Sequence, residues 1–171
     1  MKLWCVVAAM TSLTVAASSA FAVTPLKVTS VPALTALPSV ALPHRATANA
    51  GQSVDSALAR AKKQHKLAFI VLGANWCRSC DMLASFLALP EVRRFVDAHY
   101  IVARVDVGHF DRNLHIPARW GIVDRLPGLP TIVIVDPADN SLVNRGGIAG
   151  LVNIDRKTPQ QIADWLTWWA K

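Results

Sequence analysis

The stretch Leu67-Ala68-Phe69-Ile70-Val71-Leu72-Gly73-Ala74-Asn75-Trp76-Cys77-Arg78-Ser79-Cys80 constrains this chain more than any other. From Leu67 to Leu72 every residue is apolar and most are bulky, the pattern of a strand buried on both faces. A short turn follows, and Cys-x-x-Cys opens a run from Asp81 to Leu89 that reads as helix. Two thiols at that spacing on a helix's first turn can close a disulfide with little backbone movement. The first sits among unpaired N–H groups at the positive end of the helix dipole, which favours its thiolate. Such an arrangement is a redox site, and the rest of the chain reads as its support.

At 171 residues the chain has length for one domain with a sizeable core and is short for two. Three parts are expected. Residues 1–22 form a signal peptide: Lys2, an apolar run from Leu3 through Val15, then Ala20-Phe21-Ala22 as a small-x-small cleavage site. The competing reading is an uncleaved membrane anchor, since residues 3–22 just span a bilayer; Thr11, Ser12, Thr14, Ser18 and Ser19 dilute the run and favour cleavage. Residues 23–50 are rich in Ala, Thr, Ser and Pro, with Pro25, Pro32, Pro38 and Pro43 breaking any period, and read as a flexible or partly extended leader. Residues 51–171 form the folded domain.

Removing the signal leaves two cysteines, Cys77 and Cys80, because Cys5 goes with it. A bridge over two intervening residues closes a tiny loop and adds little by chain entropy, so its purpose is chemical. The formal charge of +7 becomes +6 with the loss of Lys2. Those charges are scattered and form no stripe, which argues against a nucleic-acid partner.

Within the domain, Ser53 is positioned to cap a helix running to about His65, with Val54, Leu58 and Ala61 inward. The apolar strand and the Cys-x-x-Cys helix come next. Leu83, Phe86 and Leu87 make that helix's buried face, Pro90 ends it, and Glu91 to His99 continues as helix. Tyr100 to Val107 reads as a strand, a helical turn is expected near Pro117 to Trp120, and Thr131 to Val135 is a second fully apolar strand. A turn at Ala138-Asp139-Asn140 leads into Ser141 to Arg145 as a hairpin partner. Thr158-Pro159-Gln160-Gln161 carries a capping box for a last helix, whose Ile162, Trp165, Leu166 and Trp169 share a face. The order predicts an α/β fold: a central mixed sheet flanked by helices on both faces.

Trp76-Cys77-Arg78-Ser79-Cys80, followed later by Gly128-Leu129-Pro130-Thr131 opening an apolar strand, resembles the thioredoxin superfamily. Within it, residues 57–106 look most like secreted thioredoxin-like domains of the kind at the C-terminus of the periplasmic disulfide reductase DsbD. The resemblance implies a thioredoxin fold over roughly residues 52–171, with Cys77 as exposed nucleophile and Cys80 as buried resolving thiol. It implies Trp76 packed beside the disulfide, and Pro130 in cis facing it. Leu129 would offer backbone groups to a bound substrate strand, and Gly147 or Gly150 would sit in a loop near the site. Many relatives carry a buried Asp six residues before the nucleophile to move the resolving thiol's proton; here that place is Val71. Slow resolution near neutral pH, accelerating as pH rises, is therefore expected. The segment from Gly121 to Pro130 is longer than in plain thioredoxins by Val123 to Pro127 and would adjoin the substrate groove.

These readings imply an exported, periplasmic or secreted thiol–disulfide oxidoreductase working by thiolate attack and a mixed disulfide, with Arg78 helping to hold the Cys77 thiolate. Its partners would be protein thiols or disulfides and a membrane electron donor, with no cofactor, a monomeric state and no membrane insertion after processing. The alternative is a copper or zinc chaperone of the same fold using the same two thiols. A zinc site wants two further ligands, and the nearby candidates, His109 and His115, are expected on the far side of a strand in surface roles, so no metal ligand is assigned.

Overall fold

The computed structural model describes residues 23–40, 44 and 49–170; the proposed signal, and Cys5 with it, lies outside them. Strand β1 (Leu67–Gly73) is buried along its whole length, as its unbroken apolar run requires. It lies between β2 (Tyr100–Asp106), parallel to it, and β3 (Thr131–Asp136), antiparallel to it, with β4 (Ser141–Leu142) on the outer edge of β3. A parallel pair needs a crossover, and two helices supply it here: α2 (Arg78–Ala88) and α3 (Pro90–His99). Helix α1 (Ala50–Lys63) precedes β1, the single turn α4 (His115–Ala118) follows β2, and α5 (Pro159–Trp169) closes the fold.

Alternation along β1 sorts the core into two layers. Leu67, Phe69 and Val71 face α2, α3 and α5, meeting Leu83, Phe86, Val96, Ile162 and Leu166. Ala68, Ile70 and Leu72 face α1, packing with Val54, Ala57 and Ala61 and with Ile116 and Trp120 near α4. The expected mixed sheet with helices on both faces is what forms.

Two local expectations change. The cap of α1 is Asn49, whose side chain accepts the Gln52 N–H at 2.9 Å, so the helix begins three residues before Ser53 and buries Ala50 as well. The hairpin partner of β3 shrinks to Ser141 and Leu142, because buried Asn144 takes over the pairing with its side chain. Its Oδ1 accepts the Ile134 N–H at 2.8 Å and its Nδ2 donates to the Ile132 carbonyl at 3.0 Å. Gly147 and Gly150 pack against indoles: a Cβ on Gly147 would stand 2.6 Å from the Trp169 ring, and one on Gly150 2.1 Å from Trp165 Nε1. The capping box on α5 forms as expected, with Thr158 and Gln161 exchanging hydrogen bonds.

Between residues 23 and 40 the leader forms no strand and one 3₁₀ turn (Leu34–Ala36), and this stretch is tied down. Leu26, Val28 and Leu34 are buried in the α2–α3–α5 layer. Its prolines deny it a ladder, so side chains of α5 satisfy the backbone instead: the Leu26 N–H donates to Thr167 Oγ1 (3.1 Å), the Val28 N–H donates to Gln160 Oε1 (3.1 Å), and Gln160 Nε2 donates to the Leu26 carbonyl (2.9 Å). Ser30 reaches Glu91 of α3, and Ser39 donates to Asp81 of α2 at 2.5 Å.

This docking predicts that Leu34→Ala, at a site 4 % exposed, lowers the unfolding free energy by about 2 kcal/mol, the low end for a buried leucine because the segment can detach ahead of the domain. Urea unfolding followed by far-UV circular dichroism reads it. A change within about 0.5 kcal/mol, typical of surface positions, would mean that the leader is a spacer.

Candidate redox site

The carboxyl end of β1 and the amino end of α2 meet at the cysteines. Cys77 is the N-cap residue of α2: its backbone is extended (φ −82°, ψ 104°) and its sulfur accepts the Cys80 N–H at 3.1 Å. A sulfur thus stands where helices usually hold a serine or aspartate oxygen, at the positive end of the helix. Cys77 and Cys80 are joined as a disulfide with Cα atoms 5.2 Å apart, so the sulfurs are in their oxidised state. Cys77 is 6 % exposed and Cys80 2 %, so both are buried in the disulfide form and Cys77 is not the open thiol that the resemblance implied; the helix-cap position, not exposure, distinguishes it. Arg78 is exposed beside it.

Trp76 is half exposed rather than packed away. Its Nε1 donates to the Gly108 carbonyl at 2.9 Å and its indole lies flat on His109, ring centroids 5.0 Å apart and planes 1° from parallel, with Phe110 edge-on at 6.4 Å. His109 is exposed, as the surface role expected for it requires, but it stands against Trp76 at the rim of the site rather than away from it; His115, at the start of α4, is exposed as well. The turn that carries His109 is set by Gly108 at φ +56° and by buried Asp106, whose carboxylate accepts the Gly108 N–H at 3.1 Å and pairs with Arg112 at 3.4 Å.

The Leu129–Pro130 bond is cis. Leu129 and Leu126 belong to the same buried cluster as Cys77 and Cys80. Thr131 Oγ1 donates to the Gly128 carbonyl at 2.6 Å and pins the loop before β3 to the strand. The inserted residues have another neighbourhood as well: Val123 is exposed, and Ile122, Val123, Pro127, Ile148 and Ala149 line a cavity of about 440 Å³ that none of the cysteines borders.

Behind Cys80, Val71 faces α2 as the pattern requires, and Gly73 follows two residues along the same face. A Cβ on Gly73 would stand 3.0 Å from Cys80 Sγ, 2.4 Å from Nε2 of His44 and 2.6 Å from its Cε1. The absent side chain thus makes room for an imidazole that comes from the leader. Asn75 fixes it by a reciprocal clamp: the His44 N–H donates to Asn75 Oδ1 at 3.0 Å, and Asn75 Nδ2 donates to the His44 carbonyl at 2.7 Å. His44 is 2 % exposed. Burial, chiefly, and the charge of Arg104 hold its pKa below the ordinary histidine value, against the opposing pull of Asp106 and the Val105 backbone. Sequence reasoning missed His44 entirely, since a single histidine in a proline-broken segment carries no periodic signal; Gly73 and Asn75 were in view but had no visible reason to be Gly and Asn.

Among the described residues, no group of three or more His, Cys, Asp or Glu side chains is placed to hold a metal ion, and no helix is long and apolar enough to cross a membrane.

Residues 49–137 match the family model described as Thioredoxin-like. Among solved structures, the crystal structure of a disulphide isomerase from Xylella fastidiosa Temecula1 is 32 % identical in sequence. That match covers 76 % of this chain and 98 % of that one, with a TM-score of 0.68. No curated protein matches the chain. With a mixed sheet between two helical layers and the family's strand–Cys-x-x-Cys–helix segment inside the matched region, this chain belongs to the thioredoxin-like family.

Proposed function

We propose that the chain is an exported thiol–disulfide oxidoreductase that exchanges disulfides with protein partners through Cys77 and Cys80. The observation that carries this reading is the disulfide closed across the first turn of α2, with Cys77 Sγ as the helix cap. The likeness to a protein described as a disulphide isomerase supports it. In the reduced protein the Cys77 thiolate keeps the Cys80 N–H as a donor and gains from the helix end, so it is the attacking sulfur. It attacks one sulfur of a partner disulfide; that S–S bond breaks, the second partner sulfur leaves as thiolate, and a Cys77–partner disulfide forms. Cys80 then loses its proton and attacks Cys77 Sγ. The Cys77–Cys80 bond forms, the remaining partner sulfur leaves and is protonated, and two electrons have passed from this protein to its partner. The reverse sequence donates a disulfide.

Trp76 with His109, and the cis Leu129–Pro130 pair, are the groups against which a partner strand would lie. Kinship with the C-terminal domain of DsbD fits the same chemistry, with a membrane electron donor to return Cys77 and Cys80 to thiols. Export follows from the apolar segment ending Ala20-Phe21-Ala22.

Two outcomes are expected. In cells, Cys80→Ser accumulates mixed disulfides with partner proteins, visible as thiol-sensitive bands on non-reducing gels, and Cys77→Ser does not; the reverse pattern would exchange the two roles, and bands with neither would remove the redox reading. Intact mass of the exported protein should begin at Val23. A product still starting at Met1 would make the protein membrane-tethered instead.

A further inference from the structure

Resolution sets a demand that Val71 cannot meet. Cys80 must shed a proton while buried among apolar groups, where its thiolate is disfavoured. The residue six places before Cys77 has no atom that can take a proton, yet the space two residues farther along the same face of β1 is filled by an imidazole.

We propose that His44, delivered by the leader, is the proton acceptor for Cys80 during resolution of the Cys77 mixed disulfide. The inference rests on the thiol–disulfide reading above and names the group that makes its second step possible. Three features of the structure build the site. The first is space: His44 Nε2 and Cys80 Sγ lie 2.4 Å and 3.0 Å from the same point above Gly73, which puts ring and sulfur within direct or single-water reach of each other. The second is placement, since Asn75 grips both backbone polar groups of His44 and is itself two residues from Cys77. The third is an unmet polar atom. Among the described residues, His44 Nδ1 is the buried side-chain nitrogen or oxygen left without a hydrogen-bond partner. Leaving such an atom unpaired is costly, and a group kept despite that cost calls for a use. In the disulfide form Cys80 has no proton to offer, so the imidazole waits for the reduced state.

The surroundings suit a base. Around the ring, β2 contributes Arg104 and Asp106, α2 contributes Cys80, and the end of β1 contributes Gly73 and the uncharged Asn75. Burial and Arg104 keep the imidazole neutral at neutral pH; the Val105 backbone engages the ring through its other nitrogen, so the free lone pair that takes the proton is that of Nδ1, while Asp106 eases the positive charge that arrives with it. The step balances: the Cys80 S–H proton passes to the imidazole, Cys80 Sγ attacks Cys77 Sγ, the partner sulfur departs as thiolate, and the imidazolium returns the proton to it or to water.

Reaction of the fully reduced protein with dithiobis-nitrobenzoate separates the steps. A first release of nitrothiobenzoate reports attack by Cys77, and a second reports resolution by Cys80. With His44 as acceptor, the second phase in the parent protein is flat through neutral pH and falls only in acid, below the ordinary histidine value of about 6.5, where the ring is already protonated. In His44→Gln the first phase is unchanged, while the second slows roughly a hundredfold near neutral pH and then climbs about tenfold per pH unit as hydroxide replaces the base. A second phase in the parent that itself climbs tenfold per unit through neutral pH would overturn the proposal without any variant, as would superimposable profiles for parent and His44→Gln. Loss of the first phase in the parent would instead remove the thiol–disulfide reading, and this inference with it.

Discussion

Strand β1 has no solvent-facing side, and that burial orders the rest of the molecule. A strand covered on both faces demands two helical layers, so α1 must lie on one side and α2, α3 and α5 on the other. It also leaves the chain one place to emerge, the carboxyl end at Gly73, where the next residues turn directly into α2. The cysteines stand at that exit. One sulfur caps a helix whose N–H groups point at it, and the other is pressed against the strand end just left behind. The asymmetry of the two thiols is a consequence of where a fully buried strand can stop.

That asymmetry creates the chemical problem as well as the chemistry. A helix N-terminus stabilises anionic sulfur at Cys77, and the same geometry sinks Cys80 into a setting that resists charge. The leader answers from outside the sheet. It crosses the α2–α3–α5 layer with Leu26, Val28 and Leu34 in the core, meets Asp81 through Ser39, and reaches the end of β1 with His44. Its docking is part of the redox site, because the imidazole is held only if the segment is.

Much of this was legible in the sequence for physical reasons. Unbroken apolar runs identify β1 and β3, helical spacing identifies α2 and α5, and the thioredoxin-like resemblance follows from Trp76 to Cys80 with the later Leu129–Pro130. The errors have a common origin in contacts between residues distant in sequence. Asn49 and Ser53 are both acceptable caps, and burial of Ala50 decides between them. Asn144 looks like a turn residue until its amide is seen replacing a stretch of strand. His109 gains its place only from Trp76, and His44 only from Gly73 and Asn75. The vacancy at Val71 could be read directly; the group filling it could not, because proline-rich segments hide their burial from any periodic test.

A histidine from the leader also differs in kind from an acid in the strand. A carboxylate at position 71 would be charged before the proton moves, and burying that charge unpaired costs several kcal/mol in the resting protein. Neutral imidazole carries no such charge, so β1 keeps an apolar core beneath the site. Charge appears only on transfer, as an imidazolium beside a thiolate, and in a poorly screened interior their mutual attraction offsets much of the desolvation that separating them requires. Asp106 favours that pair through the imidazolium, and Arg104 opposes it, which keeps the ring uncharged until Cys80 has a proton to give. The arrangement places the acid–base group on a segment held by side-chain hydrogen bonds and leaves the strand free to be a strand.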